Sequence, residues 1–599
     1  MNKLIVRPRL VLLLVTLAMG EALLAQSTQP RRADTLRREL TVMTEDAVVL
    51  GTRQPQDLAY SIPAPTLTPL RYSYQDTPIP FALTPSIAPL SALGPMKGGF
   101  TRADQRGYLT LAGGISMNLR AGAGYRIIST KDDLFDVYGR LYWGNNPINN
   151  DLLVQPKAKE LAWGLGAYYR HHFEDPTLEI RLGWRQLGHN YYGLTTVTTG
   201  QTSPTALTQL PITKLSTGLF DLDARLALAD DPTAEWLYDA RFHLGYAGTK
   251  YADGVWRAEP KPTEWLPKLS LDLSNRLSST TRWGVQGDLS LSILSFPSLI
   301  SGLTQEQAIS TNRMILSAAP YFLADDTNDD FSWRFLGGLR LSNGSDRKGV
   351  HLYLFPRIDA SLTYTPYIQL RLETDAEHRR LGLGDMSQVM PYLDAYTFPD
   401  LLERIYWAKL SLTTTIAERL SAVLSARYAG HRGAAQFRPF AYDGSSLGTS
   451  AVQVLSPISF TPYYADYREL ALGVDLMYNH RGLFRASLGG EYMKYLDPTD
   501  LLSGKAEYKI RALAELNFIP KVDLRIGYDL TGAVRYYDLS GKSVGLKASH
   551  LLHADLALSL TKSLSLTAEA RALLLGSQTR WWGYHQQPLT ALLGLQFRF

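Results

Sequence analysis

The stretch Lys505–Phe518, which reads KAEYKIRALAELNF, decides the fold class of this chain. Apolar and charged residues alternate along it, so that Tyr508 and Ile510 fall on one face of an extended strand and Lys509 and Arg511 fall on the other. The segment VDLRIGYDL, a few residues further on, repeats the pattern. A period of two residues predicts strands, each with one apolar and one charged face.

The alternating runs are long. They continue for roughly ten to eighteen residues each, from Gly107 to the C-terminus, whereas the strands of a soluble sandwich average about five to six residues. Long strands with one apolar and one charged face fit a sheet with lipid outside and water inside. Such a sheet has to close, because no edge stays unpaired in hydrocarbon. The sequence therefore predicts an all-β fold, a closed antiparallel transmembrane β-barrel of about 22 strands (roughly 20–24), after an irregular proline-rich leader.

Short and long connections alternate between the predicted strands, as periplasmic turns and outer loops do in outer-membrane barrels. Near the C-terminus we predict strands at 505–518, 521–536 and 545–561. The long connections are Gly188–Leu210, Tyr251–Trp265, Pro297–Ile309, Arg379–Leu402 and Arg432–Pro462. An even number of strands, with the short turns on the leader's side, predicts that both chain ends lie in the periplasm.

The N-terminus has the organisation of a secretory signal peptide. Lys3, Arg7 and Arg9 form a positive region, the apolar run Leu10–Leu24 follows, and we expect cleavage after Ala25. The run is shorter than the ~20 residues that a membrane-spanning helix needs. We expect residues 1–25 to be a signal peptide, 26–106 a proline-rich periplasmic or lumenal leader, and 107–599 the transmembrane barrel.

The composition excludes several classes of function. The chain has no cysteine, and therefore no disulfide, thiolate metal site or cysteine nucleophile. Its formal net charge of +5 comes from basic residues that are scattered among acids, so we expect no nucleic-acid partner. We also expect no cofactor and no bound metal.

The last strand ends on an aromatic residue. Leu595, Phe597 and Phe599 share its apolar face, and this ending resembles the C-terminal signal that barrel-assembly machineries read. With its strand number and alternation, Gly107–Phe599 resembles the barrel of TonB-dependent receptors of Gram-negative bacteria, and the proline-rich leader resembles plug-poor relatives found in Bacteroidota. The resemblance implies a multi-pass outer-membrane protein that transports or binds a solute. Its implied partners are outer-membrane lipids, the barrel-assembly machinery and a periplasmic or surface lipoprotein.

The chain departs from that family at its N-terminus. Such receptors carry a folded plug before the barrel, and the leader is too short and too rich in proline to supply one. The run Leu40–Gly51 is either a flexible leader strand or a likeness of the short apolar box that these receptors offer to their energising partner. Barrels of this width are plugged, so we predict that part of Gln26–Arg106, or the loops Arg379–Leu402 and Arg432–Pro462, folds into the lumen.

Arginines outnumber acids at the predicted lumen-facing positions of the first eight strands. The acids include Asp136, Glu179 and Asp221. The predicted lumen-lining arginines are Arg120, Arg126, Arg140, Arg170, Arg181, Arg185, Arg225 and Arg241. This excess of positive charge predicts a weak preference for anionic solutes, which salt would largely screen.

Motifs that could carry chemistry lack the context that chemistry needs. Gly444–Gly448 matches GxSxG, but that motif works as a strand-to-helix elbow and here lies in a loop. Asp325–Asp330 lacks the spacing and final Glu of a calcium loop. His171 and His172 are adjacent in a strand, so their side chains point to opposite faces; the pair at 550 and 553 diverges in the same way.

We therefore expect no enzyme. Charges of both signs, such as Asp555, Glu569 and Arg571, are what a hydrated lumen surface contains. A transport or binding barrel is the favoured hypothesis. A structural or assembly and secretion role is the alternative, and a barrel hydrolase is a third.

Overall fold

The computed structural model describes most of the chain after residue 105. The described residues are 106–147, 157–198, 207–209, 214–228, 234–252, 262–298, 307–327, 331–346, 348–364, 368–394, 402–417, 419–441, 453–480, 483–517, 519–576, 579–585 and 587–599. The predictions made for the signal peptide, for Leu40–Gly51, for Gly444–Gly448 and for nearly all of the leader lie outside these residues.

Nearly all of the described chain is β-strand. The strands are β1 (Gly107–Gly114), β2 (Leu119–Ser129), β3 (Asp133–Pro147), β4 (Lys157–His172), β5 (Thr177–Asn190), β6 (Leu194–Thr198), β7 (Leu207–Gln209), β8 (Lys214–Leu228), β9 (Trp236–Ala252), β10 (Thr263–Arg276), β11 (Thr281–Ser298), β12 (Gln307–Thr327), β13 (Phe331–Asp346), β14 (Gly349–Tyr364), β15 (Ile368–Arg379), β16 (Glu403–Ala417), β17 (Leu420–Ala441), β18 (Gln453–His480), β19 (Phe484–Leu496), β20 (Tyr508–Leu516), β21 (Val522–Thr531), β22 (Val534–Tyr537), β23 (Ser543–Leu546), β24 (Ser549–Ser559), β25 (Leu564–Gly576), β26 (Thr579–Trp581), β27 (Tyr584–His585) and β28 (Leu589–Arg598). A helix, α1 (Leu383–Val389), and a short 3-10 turn, Ile115–Met117, complete the described elements.

The main sheet closes into a barrel. It contains 24 strands, of which β6 and β7 pair only with β18, and the other 22 form the barrel wall. Each wall strand pairs antiparallel with the next along the chain, and β28 returns to β1, with Tyr108 opposite Arg598. The backbone N–H of Phe599 donates to the carbonyl of Gly107 at 3.0 Å. The predicted closed antiparallel barrel of about 22 strands is confirmed.

The two faces of the wall differ as the alternation predicts. In β10, Leu269, Leu271 and Leu273 point outward and are exposed. Between them Asp272 points into the lumen, where it accepts a hydrogen bond from the hydroxyl of Tyr321 at 2.7 Å. Apolar side chains on the outer face suit lipid, because lipid offers no hydrogen-bond partner, while charged side chains on the inner face keep water and each other as partners.

The two ends of the barrel are unlike. Tight turns close one end, as where the N–H of Leu277 donates to the carbonyl of Thr281 at 2.9 Å. The long connections leave from the opposite end, and we call the two ends the short-turn end and the long-loop mouth. Phe599 and the start of β1 both lie at the short-turn end. No helix among the described residues is both long and apolar enough to cross a membrane.

Several predicted boundaries at the long-loop mouth are wrong. Most of the predicted loop Arg432–Pro462 is a continuation of β17 and β18, and Gly188–Leu210 contains β6 and β7. The predicted strands 521–536 and 545–561 are instead interrupted by a separate hairpin, β22 with β23. Strand pairing continues beyond the apolar belt wherever two segments of the chain remain adjacent. Alternation alone does not distinguish such an extension from a loop.

Candidate functional site at the mouth of the barrel

Connections from opposite sides of the barrel meet across the long-loop mouth. Strands β6 and β7 belong to the connection between β5 and β8, yet both pair with β18 through Gln453–Leu455. β5 is the fifth wall strand and β18 the sixteenth of 22, so the two stand half a circumference apart. This small sheet therefore spans the mouth.

A buried, mostly aromatic cluster lies with this sheet, and we call it the mouth cluster. Its members come from strands β4, β8, β17 and β18, from α1, from the connections that follow β5 and α1, and from the hairpins β22–β23 and β26–β27. They are Ala158, Tyr191, Tyr192, Leu215, Met386, Met390, Tyr392, Leu393, Phe437, Ile458, Phe460, Tyr536, Trp581 and Tyr584. Because its parts are contributed from around the rim, the mouth cluster joins the outer connections into one cap.

Stacked tyrosines form the centre of the mouth cluster. The rings of Tyr392 and Tyr584 are stacked with centroids 3.6 Å apart, and Tyr192 meets Tyr584 edge-on at 5.0 Å. The hydroxyl of Tyr584 donates to the carbonyl of Ile458 at 2.5 Å, and that of Tyr191 donates to the carbonyl of Leu393 at 2.8 Å. Tyr191, Tyr192 and Tyr584 thus pack their rings in the cluster and bond their hydroxyls to another connection. The buried hydroxyl of Tyr392 has no hydrogen-bond partner among the described residues.

Backbone hydrogen bonds also tie the connections together. The N–H of Phe460 donates to the carbonyl of Tyr392 at 3.1 Å, and the N–H of Asp394 donates to the carbonyl of Phe460 at 3.0 Å. The N–H of Ile458 donates to the carbonyl of Gly193 at 2.9 Å. Burial raises the pKa of the Tyr392 hydroxyl well above its ordinary value. The Tyr392 hydroxyl therefore stays protonated well above neutral pH.

Helix α1 rests on the inner wall of the barrel. Glu264, a lumen-facing residue of β10 that is 2% exposed, accepts hydrogen bonds from the N–H of Leu383 and from the hydroxyl of Ser292. Leu383 packs beside Leu219 and Ala247 on the neighbouring wall strands. The described part of Arg379–Leu402 therefore folds into the lumen, as predicted for this loop. The carboxylate caps the Leu383 amide at the start of α1, which would otherwise be unpaired.

Six of the eight predicted lumen-lining arginines form ion pairs with carboxylates. The pairs are Arg120–Glu569 (2.7 Å), Arg126–Asp136 (2.8 Å), Arg181–Glu179 (3.7 Å), Arg185–Asp221 (3.0 Å), Arg225–Asp239 (2.9 Å) and Arg241–Asp239 (2.7 Å). Arg140 lies over the ring of Tyr138, 5.4 Å from its centroid, and Arg170 stands opposite Glu179 in the strand ladder. Paired charges leave a weaker field than the arginines alone, so the preference for anionic solutes stays a prediction.

The other candidates from the sequence lie apart from the mouth cluster. His171 contacts Asp133 at 2.7 Å and His172 contacts Thr177 at 2.9 Å, so the two rings face different partners. His550 bonds to Tyr528 at 2.7 Å. Within the described ranges, the residues form no group of three or more potential metal ligands.

The C-terminal residues of the proposed assembly signal lie on the outer face. Leu595, Phe597 and Phe599 are all exposed there. The ring of Phe599 stacks on Phe597 at 5.6 Å and on Tyr125 at 6.2 Å. They form an aromatic strip on the closing strands of the barrel. Their role in assembly stays a prediction.

Sequence reasoning missed the mouth cluster entirely. Its tyrosines lie in the segments HNYYG around Tyr191 and WWGYH around Tyr584, which are rich in aromatic residues but lack strand alternation. Aromatic residues concentrated in long connections of a barrel are the signal that could have pointed to them. No local pattern could have paired residues that lie hundreds of positions apart.

These features define a class of protein. The chain is a closed 22-stranded β-barrel of the outer-membrane type, with an apolar outer face, a charged lumen and a mouth covered by its long connections. No protein-family model matches the sequence, and no curated protein matches it.

Solved structures of outer-membrane receptors do match it. The ferric enterobactin receptor PfeA of Pseudomonas aeruginosa is 13% identical, with a TM-score of 0.56 over 83% of this chain and 81% of that one. The FrpB iron transporter of Neisseria meningitidis is 12% identical, with a TM-score of 0.59 over 84% and 83%. The siderophore receptor PirA of Acinetobacter baumannii is 10% identical, with a TM-score of 0.57 over 83% and 80%. At these identities the likeness shows the fold: the chain has the barrel of such receptors.

Proposed function

We propose that this protein is an outer-membrane barrel that binds a solute at its long-loop mouth and admits it by rearranging the cap, in the manner of TonB-dependent receptors. The mouth cluster carries this proposal, because it joins connections from around the rim across the mouth. A solute approaching from that side meets the cap before it meets the lumen. An open porin would leave the mouth clear, whereas a receptor has to recognise its solute there.

The orientation follows from the same architecture. Long connections face the outside and short turns face the periplasm in outer-membrane barrels, and on this rule we infer that Phe599 and the leader 26–106 lie in the periplasm. There the leader would meet an energising complex or a periplasmic lipoprotein. A signal peptide at 1–25, insertion by the barrel-assembly machinery through the Phe599 terminus, the absence of a full plug and an origin in Bacteroidota complete the proposal.

Conductance tests whether the pore is closed. We expect purified full-length protein in planar bilayers to show little unit conductance. A form lacking both Gln26–Arg106 and the segment 380–394 should conduct strongly. If the two forms conduct equally, the lumen is not closed by either segment and the gated-receptor proposal is wrong.

Ligand binding tests the receptor function itself. The structural neighbours are named for iron and siderophore transport, so ferric enterobactin is the first probe to use. Trp581 is 3% exposed in the mouth cluster, and we expect the probe to change its fluorescence. The change should be lost in W581F while binding, measured by calorimetry, persists.

Failure to bind any chelate in this assay would favour the structural or assembly role. A pull-down with the periplasmic leader separates the two functions further. Capture of an energising partner supports uptake, and capture of secretion components supports a scaffold.

A further inference from the structure

The barrel wall is incompletely paired along one line, between β14 and β15. β14 pairs with β13 from Gly349 to Tyr364, but it pairs with β15 only over Ile358–Tyr364. Among the described residues, Gly349–Arg357 therefore have a neighbouring strand on one side only. We call this line the lateral seam. It occupies the half of the wall nearer the long-loop mouth.

At the lateral seam the wall overlaps itself. His378 and Tyr406 lie on the outward-facing sides of β15 and β16, yet they contact lumen-facing residues of β13 and β14. A hydrogen bond of 2.7 Å joins Ser342 to His378, and the rings of Tyr353 and His378 are 5.9 Å apart. The rings of Phe355 and Tyr406 are 6.0 Å apart. The mouth halves of β15 and β16 therefore lie on the lumen side of β13 and β14.

The sequence supplies a reason for the seam at this position. Pro356 has no N–H to donate to β15, and its carbonyl instead accepts a hydrogen bond from the side chain of Thr374 at 3.1 Å. Gly344 lets His378 approach closely, because a Cβ at this position would lie 3.3 Å from the His378 ring and even closer to Leu402. Pro356 ends the hydrogen-bond ladder between β14 and β15, and Gly344 leaves space for β15 to overlap β13.

The seam leaves a bare strand edge with an apolar outer face. Alternate residues of a strand direct their backbone groups to the same neighbour, so Val350, Leu352 and Leu354 turn theirs, like Pro356, toward the missing strand. Their side chains are 64–70% exposed, compared with 40–49% for the outward leucines of the fully paired β10. A bare edge is unstable in hydrocarbon, so a ligand with both polar acceptors and an apolar chain would cover it well.

Three basic residues lie side by side on neighbouring strands at the mouth end of the lateral seam. His378, Arg404 and Arg432 are opposite one another on β15, β16 and β17, and all three have the outward-facing position in their strands. Within the described part of the chain, neither Arg404 nor Arg432 forms an ion pair with an acid. Asp466, the exposed acid of β18, accepts a hydrogen bond from the N–H of Gly433 at 2.7 Å. Arg404 and Arg432 therefore present positive charge that no ion pair among the described residues neutralises.

We propose that the lateral seam is a binding site for an anionic lipid of the outer leaflet. The acyl chain lies along Val350, Leu352 and Leu354 over the bare edge. The phosphate head is held by Arg432, the exposed arginine of the row, with Arg404 behind it adding positive charge. The inference rests on the outer-membrane location in the proposed function but not on uptake. Lipid binding and solute uptake can therefore fail independently.

Photolabelling tests the site. Full-length protein is placed in nanodiscs that contain a photoactivatable phosphatidylglycerol or, for comparison, the matching phosphatidylcholine. We expect phosphatidylglycerol to label the segment Val350–Leu354 at least fivefold more than the segment Leu269–Leu273 of β10. We expect phosphatidylcholine to label the two segments equally. Equal labelling of both segments by phosphatidylglycerol would overturn the proposal.

Charge variants identify the head-group contacts. R404Q/R432Q should lower phosphatidylglycerol labelling of Val350–Leu354 to the phosphatidylcholine level. The matched control K542Q/K547Q removes the same charge from two exposed lysines, in the turn of the hairpin β22–β23 and directly after it. It should change nothing. Heat-modifiable migration on gels shows that each variant has closed its barrel. Unchanged labelling in a closed R404Q/R432Q barrel, or equal loss in the control, would refute the assignment. So would competition by free inorganic phosphate that matches competition by phosphatidylglycerol.

Discussion

The hydroxyl of Tyr584 holds the cap closed, and its removal has a calculable effect. In Tyr584→Phe the ring keeps its stacking on Tyr392, while the carbonyl of Ile458 loses a donor at 2.5 Å inside a site that is 1–2% exposed. Leaving a buried acceptor unpaired costs about 1–3 kcal/mol. Water reaches that carbonyl once the cap opens, so the cost falls on the closed state. We therefore expect the ratio of open to closed cap to rise about 5- to 150-fold.

Because the chain has no cysteine, the opening of the cap can be measured with a single introduced thiol. Ser459 is 2% exposed in the cap, so Ser459→Cys introduces one thiol into a chain that has none. The rate at which a maleimide modifies this thiol follows the open fraction of the cap when opening and closing are fast. Adding Tyr584→Phe should raise the rate by the factor above.

The matched control is Tyr537→Phe on the hairpin β22–β23. It also removes a tyrosine hydroxyl with a 2.5 Å hydrogen bond, but this bond is exposed and goes to Asp500 in the connection between β19 and β20. We expect it to leave the rate at residue 459 unchanged. The reasoning is refuted if Tyr584→Phe changes the rate less than twofold. It is also refuted if Tyr537→Phe raises the rate as much.

Two further predictions concern α1 and the hairpin. Glu264→Ala removes the acceptor of the α1 amide at Leu383 and should raise hydrogen exchange of Leu383–Val389 at least tenfold. Ser292→Ala removes one donor to the same carboxylate and should raise this exchange less. Equal exchange in wild type and Glu264→Ala would contradict the role of Glu264. Hydrogen bonds, first from the Ser540 side chain and then from the N–H of Lys542, lower the pKa of Asp538 below its ordinary value of 3.8. The stabilisation of the hairpin by these hydrogen bonds is therefore fully present above about pH 4 and is lost as the pH falls through the lowered pKa. Amide exchange in 534–546 should accelerate at low pH in the wild type. In Asp538→Asn it should be fast at every pH.

The sequence predicted the barrel because its determinants are local. Each strand carries its own alternation, as Tyr508 to Leu516 does, and the lipid-facing side of a strand needs no partner to be recognised. The closing strand β28 was predictable for the same reason, because the alternation that forms its apolar face, ending at Phe599, lies within one continuous segment. The width of the barrel, a property of the strand number, predicted that the leader or the loops Arg379–Leu402 and Arg432–Pro462 fold inward, and the described part of Arg379–Leu402 does so.

The contacts that make the candidate site depend on the tertiary structure. Tyr191 bonds to Leu393, 202 residues away, and Tyr192 bonds to His585, 393 residues away. Such pairs form only after barrel closure has brought the connections to one mouth. The lateral seam has the same origin: Pro356 and Gly344 can be read in the sequence, but the overlap of β15 and β16 on β13 and β14 is a contact between faces. Alternation determines which face of a strand meets lipid, and only the closed barrel decides which connections and which faces meet each other.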